Sequence, residues 1–177
     1  MNRVAKFEKV SYEQFKIDVI EHQCDLFGHS INHDHIKDWY DNIRLPQRAT
    51  IGSAGYDFFY PFPSKSIQPD SNIIIPTGIK CEMDEGYWLG LFPKSKFGIN
   101  YRAMLDDTIS VIDQDYYDCE SNEGHIFVKI TNNDHNRRLL QIKQDKAYCQ
   151  GIILPFFITK DDSVTATRKG GLGSTNT

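Results

Sequence analysis

A chain of 177 residues with a formal net charge of −4 has room for one domain with a sizeable core. That charge gives no reason to expect stable nucleic-acid binding. No stretch is long and apolar enough to span a membrane, and the N-terminus lacks the apolar core of a signal peptide. Cys24, Cys81, Cys119 and Cys149 are scattered with no CxxC pair, which reads as free thiols in a reducing, cytoplasmic setting.

In chain order, residues from about Ser11 to Ile43 read as helical. Tyr12, Phe15, Val19, Ile20, Leu26 and Phe27 recur at helical spacing, Ser11 and Gln14 suggest a capping box, and Gly28 stops the helix. A second helix begins near Asn32 or Asp34, with Ile36, Trp39, Tyr40 and Ile43 on one face, and Pro46 ends it. His22, His29, His33 and His35 share no single helix face and meet no acidic or thiol partner in sequence, so solvated histidines are favoured over a metal site.

From Pro46 onward the pattern is short strands and turns. Ile73–Pro76, Ile79–Met83, Tyr87–Phe92, Thr108–Ile112, His125–Ile130 and Gln150–Ile158 read as strands. No helix-length segment alternates with them, so a mainly β fold of sandwich or jelly-roll type is expected. Residues 1–160 form the domain, with the helices carried as a small hairpin on it. Residues 161–177 form a glycine-rich arm.

Five segments could carry chemistry. Ser53-Ala54-Gly55-Tyr56-Asp57 allows close backbone approach and ends on a carboxylate. Pro93-Lys94-Ser95-Lys96-Phe97-Gly98 flanks a hydroxyl with two ammonium groups, which suits a phosphate chain. Ile112-Asp113-Gln114-Asp115-Tyr116 places a carboxylate after an apolar strand, where it can be held as a general base. Gln150-Gly151-Ile152 puts one amide in an apolar run. Arg168 to Thr175 combines a guanidinium, three glycines and two hydroxyls, a set that can wrap an anion. Taken singly, each has a plain reading: a tight turn, a solvated basic turn, an acidic turn, an edge position and a frayed tail.

Taken in order, the five segments resemble the motifs of the trimeric dUTP diphosphatase (dUTPase) family, in a phage- or Firmicute-like form with added N-terminal helices. The resemblance runs from Arg48 to Thr175, about three quarters of the chain. It implies a β jelly roll assembled as a homotrimer with shared active sites. It also implies hydrolysis of dUTP to dUMP and pyrophosphate with Mg2+, which limits uracil incorporation into DNA and supplies dUMP. By this likeness Asp113 is the general base that activates a water for attack on the α-phosphorus. Tyr116 stacks under the deoxyribose and leaves no room for a 2′-hydroxyl. Backbone groups from Asp107 to Ile112 read the uracil edge. Lys94, Ser95, Lys96, Gly98 and Gln150 line the phosphates, and Asp57 acts on the metal through waters. Arg168, Gly171, Leu172, Gly173, Ser174 and Thr175 close over the nucleotide.

The chain departs from the family pattern in places. Lys94 stands where Arg is usual and loses the bidentate fork. Lys96 replaces a small residue, Ser110 replaces a glycine, and Leu172 replaces the aromatic that covers the base. Two other readings share the fold: a dCTP deaminase, and a signalling protein that docks a partner through the helices with Trp39 and Tyr40 exposed.

Overall fold

The computed structural model describes residues 2–168 and 170. In chain order the elements are β1 (Ala5–Lys9), α1 (Tyr12–Glu21), α2 (Gln23–Phe27), α3 (Asp34–Asp41), β2 (Gln47–Arg48), β3 (Tyr56–Phe59), β4 (Lys65–Ile67), β5 (Asn72–Pro76), β6 (Ile79–Met83) and β7 (Tyr87–Pro93). They continue as α4 (Ser95–Tyr101), β8 (Met104–Leu105), β9 (Ser110–Ile112), a 3-10 turn (Gln114–Tyr116), β10 (Phe127–Thr131), β11 (Leu140–Ile142) and β12 (Ala147–Pro155). The expected mainly β architecture is present: every strand pair is antiparallel. The largest sheet has the order β2-β3-β12-β7-β9, and a second has the order β5-β10-β8.

Alternation along the strands fixes what faces the core. In the five-stranded sheet Phe58, Leu89, Leu91 and Cys149 are 0–1% exposed, and they meet Ile75, Val128 and Ile130 of the second sheet in one apolar cluster. Asp57, Phe92 and Gln150 alternate with these residues and take the outer face. The last strand ends at Pro155 rather than Ile158. Phe157 and Ile158 are 92% and 73% exposed, because no neighbouring strand continues beyond the Pro155–Tyr87 pair.

The helical region departs further from expectation. The first helix is interrupted at His22 and resumes as α2, which stops at Gly28 in the left-handed conformation that glycine tolerates. Only half of the capping box forms. Ser11 Oγ accepts from Gln14 N at 3.1 Å, but the Gln14 side chain turns away to Asp18 at 2.9 Å. Glu123 takes its place, accepting from Ser11 N at 2.7 Å and from Ser11 Oγ at 2.6 Å. Nor are the helices a decoration on the surface. Phe15, Val19, Leu26 and Ile36 are at most 1% exposed and belong to the same apolar cluster as the strands. Trp39 stacks on Phe27 at 5.0 Å and meets Phe62 edge-on at 5.5 Å, while Tyr40 donates to Val10 O at 2.8 Å. Both aromatics are therefore half-buried, less exposed than a docking surface would have them.

Candidate active site

Four of the five segments lie within the described residues and form two groups. The first is built on the outer face of β3, β12 and the end of β7. Gln150 pairs in register with Asp57 on one side and Phe92 on the other, so their side chains share one face. Lys94, two residues beyond Phe92, reaches that face and places its Nζ 2.6 Å from Asp57 Oδ1. Gln150 Nε2 donates to Pro93 O at 3.4 Å. Gly55 gives this amide its room, since a Cβ there would lie 2.8 Å from Gln150 Oε1 and displace it. Ser95 opens α4, which has no side-chain cap; Phe97 N and Gly98 N donate instead to Lys94 O at 2.8 and 3.1 Å. Ser95 and Lys96 are exposed, and Gly98 leaves open space where a side chain would stand.

The second group follows β9. Ile112 points into the core at 8% exposure and pairs with Leu89, which turns Asp113 outward with its side chain half-exposed. Arg168 ends its run along the surface here. It ion-pairs with Asp113 through Nη2 and donates through Nε to Asp115 Oδ1 at 2.8 Å. Its guanidinium carbon lies 5.8 Å from the Tyr116 ring centre. Arg168 was expected on phosphates; in this structure it rests on carboxylates. An open cavity of about 920 Å3 adjoins the group, lined by Trp88, Val111, Asp113, Asp115, Phe156 and Arg168. The motif resemblance gives Asp115 no role, and its contact with Arg168 is invisible in sequence because 53 residues separate the two.

Tyr116 is only 6% exposed. Its N–H donates to Asp113 O at 3.2 Å, and its hydroxyl donates to His125 O at 2.8 Å and accepts from Asn122 Nδ2 at 2.7 Å. Burial pushes its phenol up to about 12. The ring is thus a fixed, uncharged platform with a small accessible part beside Arg168. The segment from Asp107 is not a simple hairpin. β8 pairs with β10 and β9 with β7, so residues 106–109 cross between sheets, with turns closed by Thr108 N to Leu105 O and Ile109 N to Asp107 O. Asp107 is exposed there. Gly171, Leu172, Gly173, Ser174 and Thr175 lie outside the described residues.

No set of three His, Cys, Asp or Glu side chains converges on a metal position among the described residues. A resident Mg2+ is normally held by one or two carboxylates together with waters and substrate phosphates. The donor set here offers Asp57, already paired with Lys94, and the half-exposed Asp113 and Asp115. That set fits a Mg2+ carried in on a polyphosphate better than a closed protein cage.

The fold and site define a class of antiparallel β protein with a carboxylate after one strand, a lysine- and serine-bearing turn after another, and an arginine ahead of a glycine-rich sequence. The comparisons narrow this class. The dUTPase family model matches residues 41–176. The deoxyuridine 5′-triphosphate nucleotidohydrolase of Lactococcus lactis is 33% identical over 135 residues, which span 75% of this chain and 88% of that protein. That of Hahella chejuensis is 30% identical over 144 residues, 77% and 90% of the two chains. The dUTPase of Streptococcus mutans superposes with a TM-score of 0.58 at 32% identity, covering 66% of this chain and 88% of its own. A mutant dUTPase of Staphylococcus bacteriophage 80alpha, at 15% identity, shares the fold over 93% of this chain and 98% of its own, with a TM-score of 0.59. The chain belongs to the dUTPase family.

Proposed function

We propose that this protein cleaves dUTP to dUMP and pyrophosphate, at sites shared between the subunits of a homotrimer. One observation supports the shared site above all. Asp113 follows Ile112 and so lies level with Trp88 at the start of β7, whereas Lys94 and Ser95 follow its end. Six strand residues separate the two groups by roughly 20 Å. One chain does not bring both groups to one α-phosphorus; a neighbouring copy supplies the missing half. The outer face between them carries Val111, 58% exposed opposite Gly90, while Phe156, 41% exposed, lies just past the Asp113 end; both are apolar surface suited to subunit contact.

In this reading Asp113 accepts a proton from the attacking water, and Tyr116 lies under the deoxyribose. Backbone groups from Asp107 to Ile112 meet the uracil edge. Ser95, Gln150 and Lys94 hold phosphate oxygens, with Lys96 and Gly98 beside them. Arg168 exchanges its carboxylate partners for phosphate, and the arm from Gly171 to Thr175, Leu172 included, closes over the nucleotide. Mg2+ would supply charge neutralisation on the triphosphate, with Asp57 the carboxylate that would help hold it. The setting is cytoplasmic.

A deaminase would need a glutamate in the third motif, and that motif reads Ile112-Asp113-Gln114-Asp115-Tyr116. Docking of a protein partner on the helices would use partly exposed aromatics that also make internal contacts, Trp39 on Phe27 and Tyr40 on Val10 O. Pyrophosphate release from dUTP, UTP and dCTP with Mg2+ tests the reading. Turnover of dUTP far above the other two is expected; equal turnover of UTP, or ammonia from dCTP, would overturn it.

A further inference from the structure

We infer that the N-terminal helices hold the tyrosine platform in place, and that Asp18, His125 and Asn122 are positioning residues that set discrimination at the 2′ position of the sugar. The inference rests on the reading of Tyr116 as the surface beneath the sugar.

A continuous chain of buried hydrogen bonds carries it. The Tyr116 hydroxyl has both of its roles filled, donating to His125 O at 2.8 Å and accepting from Asn122 Nδ2 at 2.7 Å. A phenol engaged both ways cannot rotate or slide without leaving a buried group unpaired. His125 is itself fixed. Its side chain is 0% exposed, Gly78 N donates to its Nε2 at 2.7 Å, and its Nδ1 lies 2.5 Å from Asp18 Oδ2. A backbone N–H can only donate, so Nε2 carries no proton and Nδ1–H points at the carboxylate. Asp18 belongs to α1, between Phe15 and Val19, and is 5% exposed. A carboxylate on the buried face of a helix costs desolvation that an apolar residue would avoid, so its partner gives the reason for its presence.

Asp18 lies outside residues 41–176, the part of the chain that matches the dUTPase model. The added helices are therefore connected to the site: from α1 through His125 to Tyr116, and from Tyr116 N–H to Asp113 O at 3.2 Å. Exclusion of a single oxygen atom depends on ring placement to about 0.5 Å, the precision a supporting shell provides. Loosening the ring admits the 2′-hydroxyl before it disturbs attack on the α-phosphorus.

The test compares kcat/KM for dUTP and for UTP, with the thermal midpoint, in the full-length protein and in Asp18→Ala, Asn122→Ala and Glu123→Ala. The Glu123 carboxylate ties the same loop to Ser11 without touching the Tyr116 side chain. In the first two variants the dUTP-to-UTP ratio is expected to fall roughly tenfold, by a gain on UTP, as one lost hydrogen bond allows. In Glu123→Ala the midpoint falls and the ratio stays. If Asp18→Ala does not fold, Asn122→Ala decides. A ratio at the wild-type value in both site variants overturns the inference alone. A wild-type protein that does not cleave dUTP overturns the inference together with the functional reading.

Discussion

Lys94 Nζ lies 2.6 Å from Asp57 Oδ1, which joins the second motif to the first across 37 residues of sequence. Both side chains are under one-third exposed, so screening by water is partial. In the proposed site, Asp57 aims the Lys94 ammonium. Lys94→Ala leaves Asp57 without its counter-charge on a half-buried face. A rise of about tenfold in KM for the triphosphate is expected, with a smaller change in kcat, as for a lost charge-assisted contact. Steady-state kinetics at fixed salt checks it.

Asp113→Asn keeps shape and removes the base. A fall in kcat of roughly 10²- to 10⁴-fold is expected. The thermal midpoint should stay within a few degrees, because the side chain is half-exposed and its loss opens no cavity. Comparable losses in kcat and midpoint would point to a structural role instead.

Gly55→Ala places a methyl group 2.8 Å from Gln150 Oε1, the end of a flexible side chain. The amide moves and the fold survives, so KM rises with little loss of stability. Gly151→Ala is the internal contrast, with its Cβ 2.7 Å from Leu89 Cδ1 and 2.9 Å from Phe58 Cε2 inside the core. Overpacking there costs about 1–3 kcal/mol. Urea titrations of the two variants separate the outcomes.

Phe15→Ala removes a fully buried ring that stacks on Phe62 at 6.0 Å. A loss of about 3–5 kcal/mol is expected. Deletion of residues 11–43 is correspondingly expected to unfold the β domain, since Phe15, Val19, Leu26 and Ile36 share its apolar cluster. A truncated chain that stays folded, with an unchanged urea midpoint, would contradict this.

Burial pushes the His125 imidazole below its ordinary range, against the opposing pull of Asp18 and Glu123 and with a smaller contribution from His22. The unfolded chain takes up a proton near pH ~6.5 and the folded chain does not. Stability is therefore full above that value and declines as pH falls through it, by up to ~1.4 kcal/mol per pH unit. Urea midpoints from about pH 8 to about pH 5.5 should fall, while the imidazole NMR signals remain those of the neutral ring. Protonation of His125 in the folded protein at mildly acid pH would contradict it.

Much of this was legible in the sequence, for definite reasons. The spacing of Phe15, Val19, Leu26 and Ile36 gave the helices, and Gly28 marked their stop. The apolar run Ile73–Ile75 and the alternation of Ile79, Cys81 and Met83 gave β5 and β6. β4, β8 and β11 were missed because two or three residues carry no period, and they exist through distant partners such as Leu140 opposite Ile67. β1 was missed because Phe7 is the one large apolar residue in Ala5–Lys9. In the site, the order of five segments pointed to the family but to none of the contacts. Nothing in sequence places Arg168 on Asp115, or links Asp18 to Tyr116 through His125, since those links arise only when α1 packs on the sheets.

The most direct measurement is subunit complementation. Purified Asp113→Asn protein and Ser95→Ala/Gln150→Ala protein, each inactive alone, are denatured, mixed in equal amounts and refolded. If each site takes Asp113 from one subunit and Ser95 and Gln150 from another, about one quarter of the sites in random trimers carry both intact halves. Pyrophosphate release from dUTP should return to about that fraction of the wild-type rate. A mixture as inactive as its components would contradict the shared site.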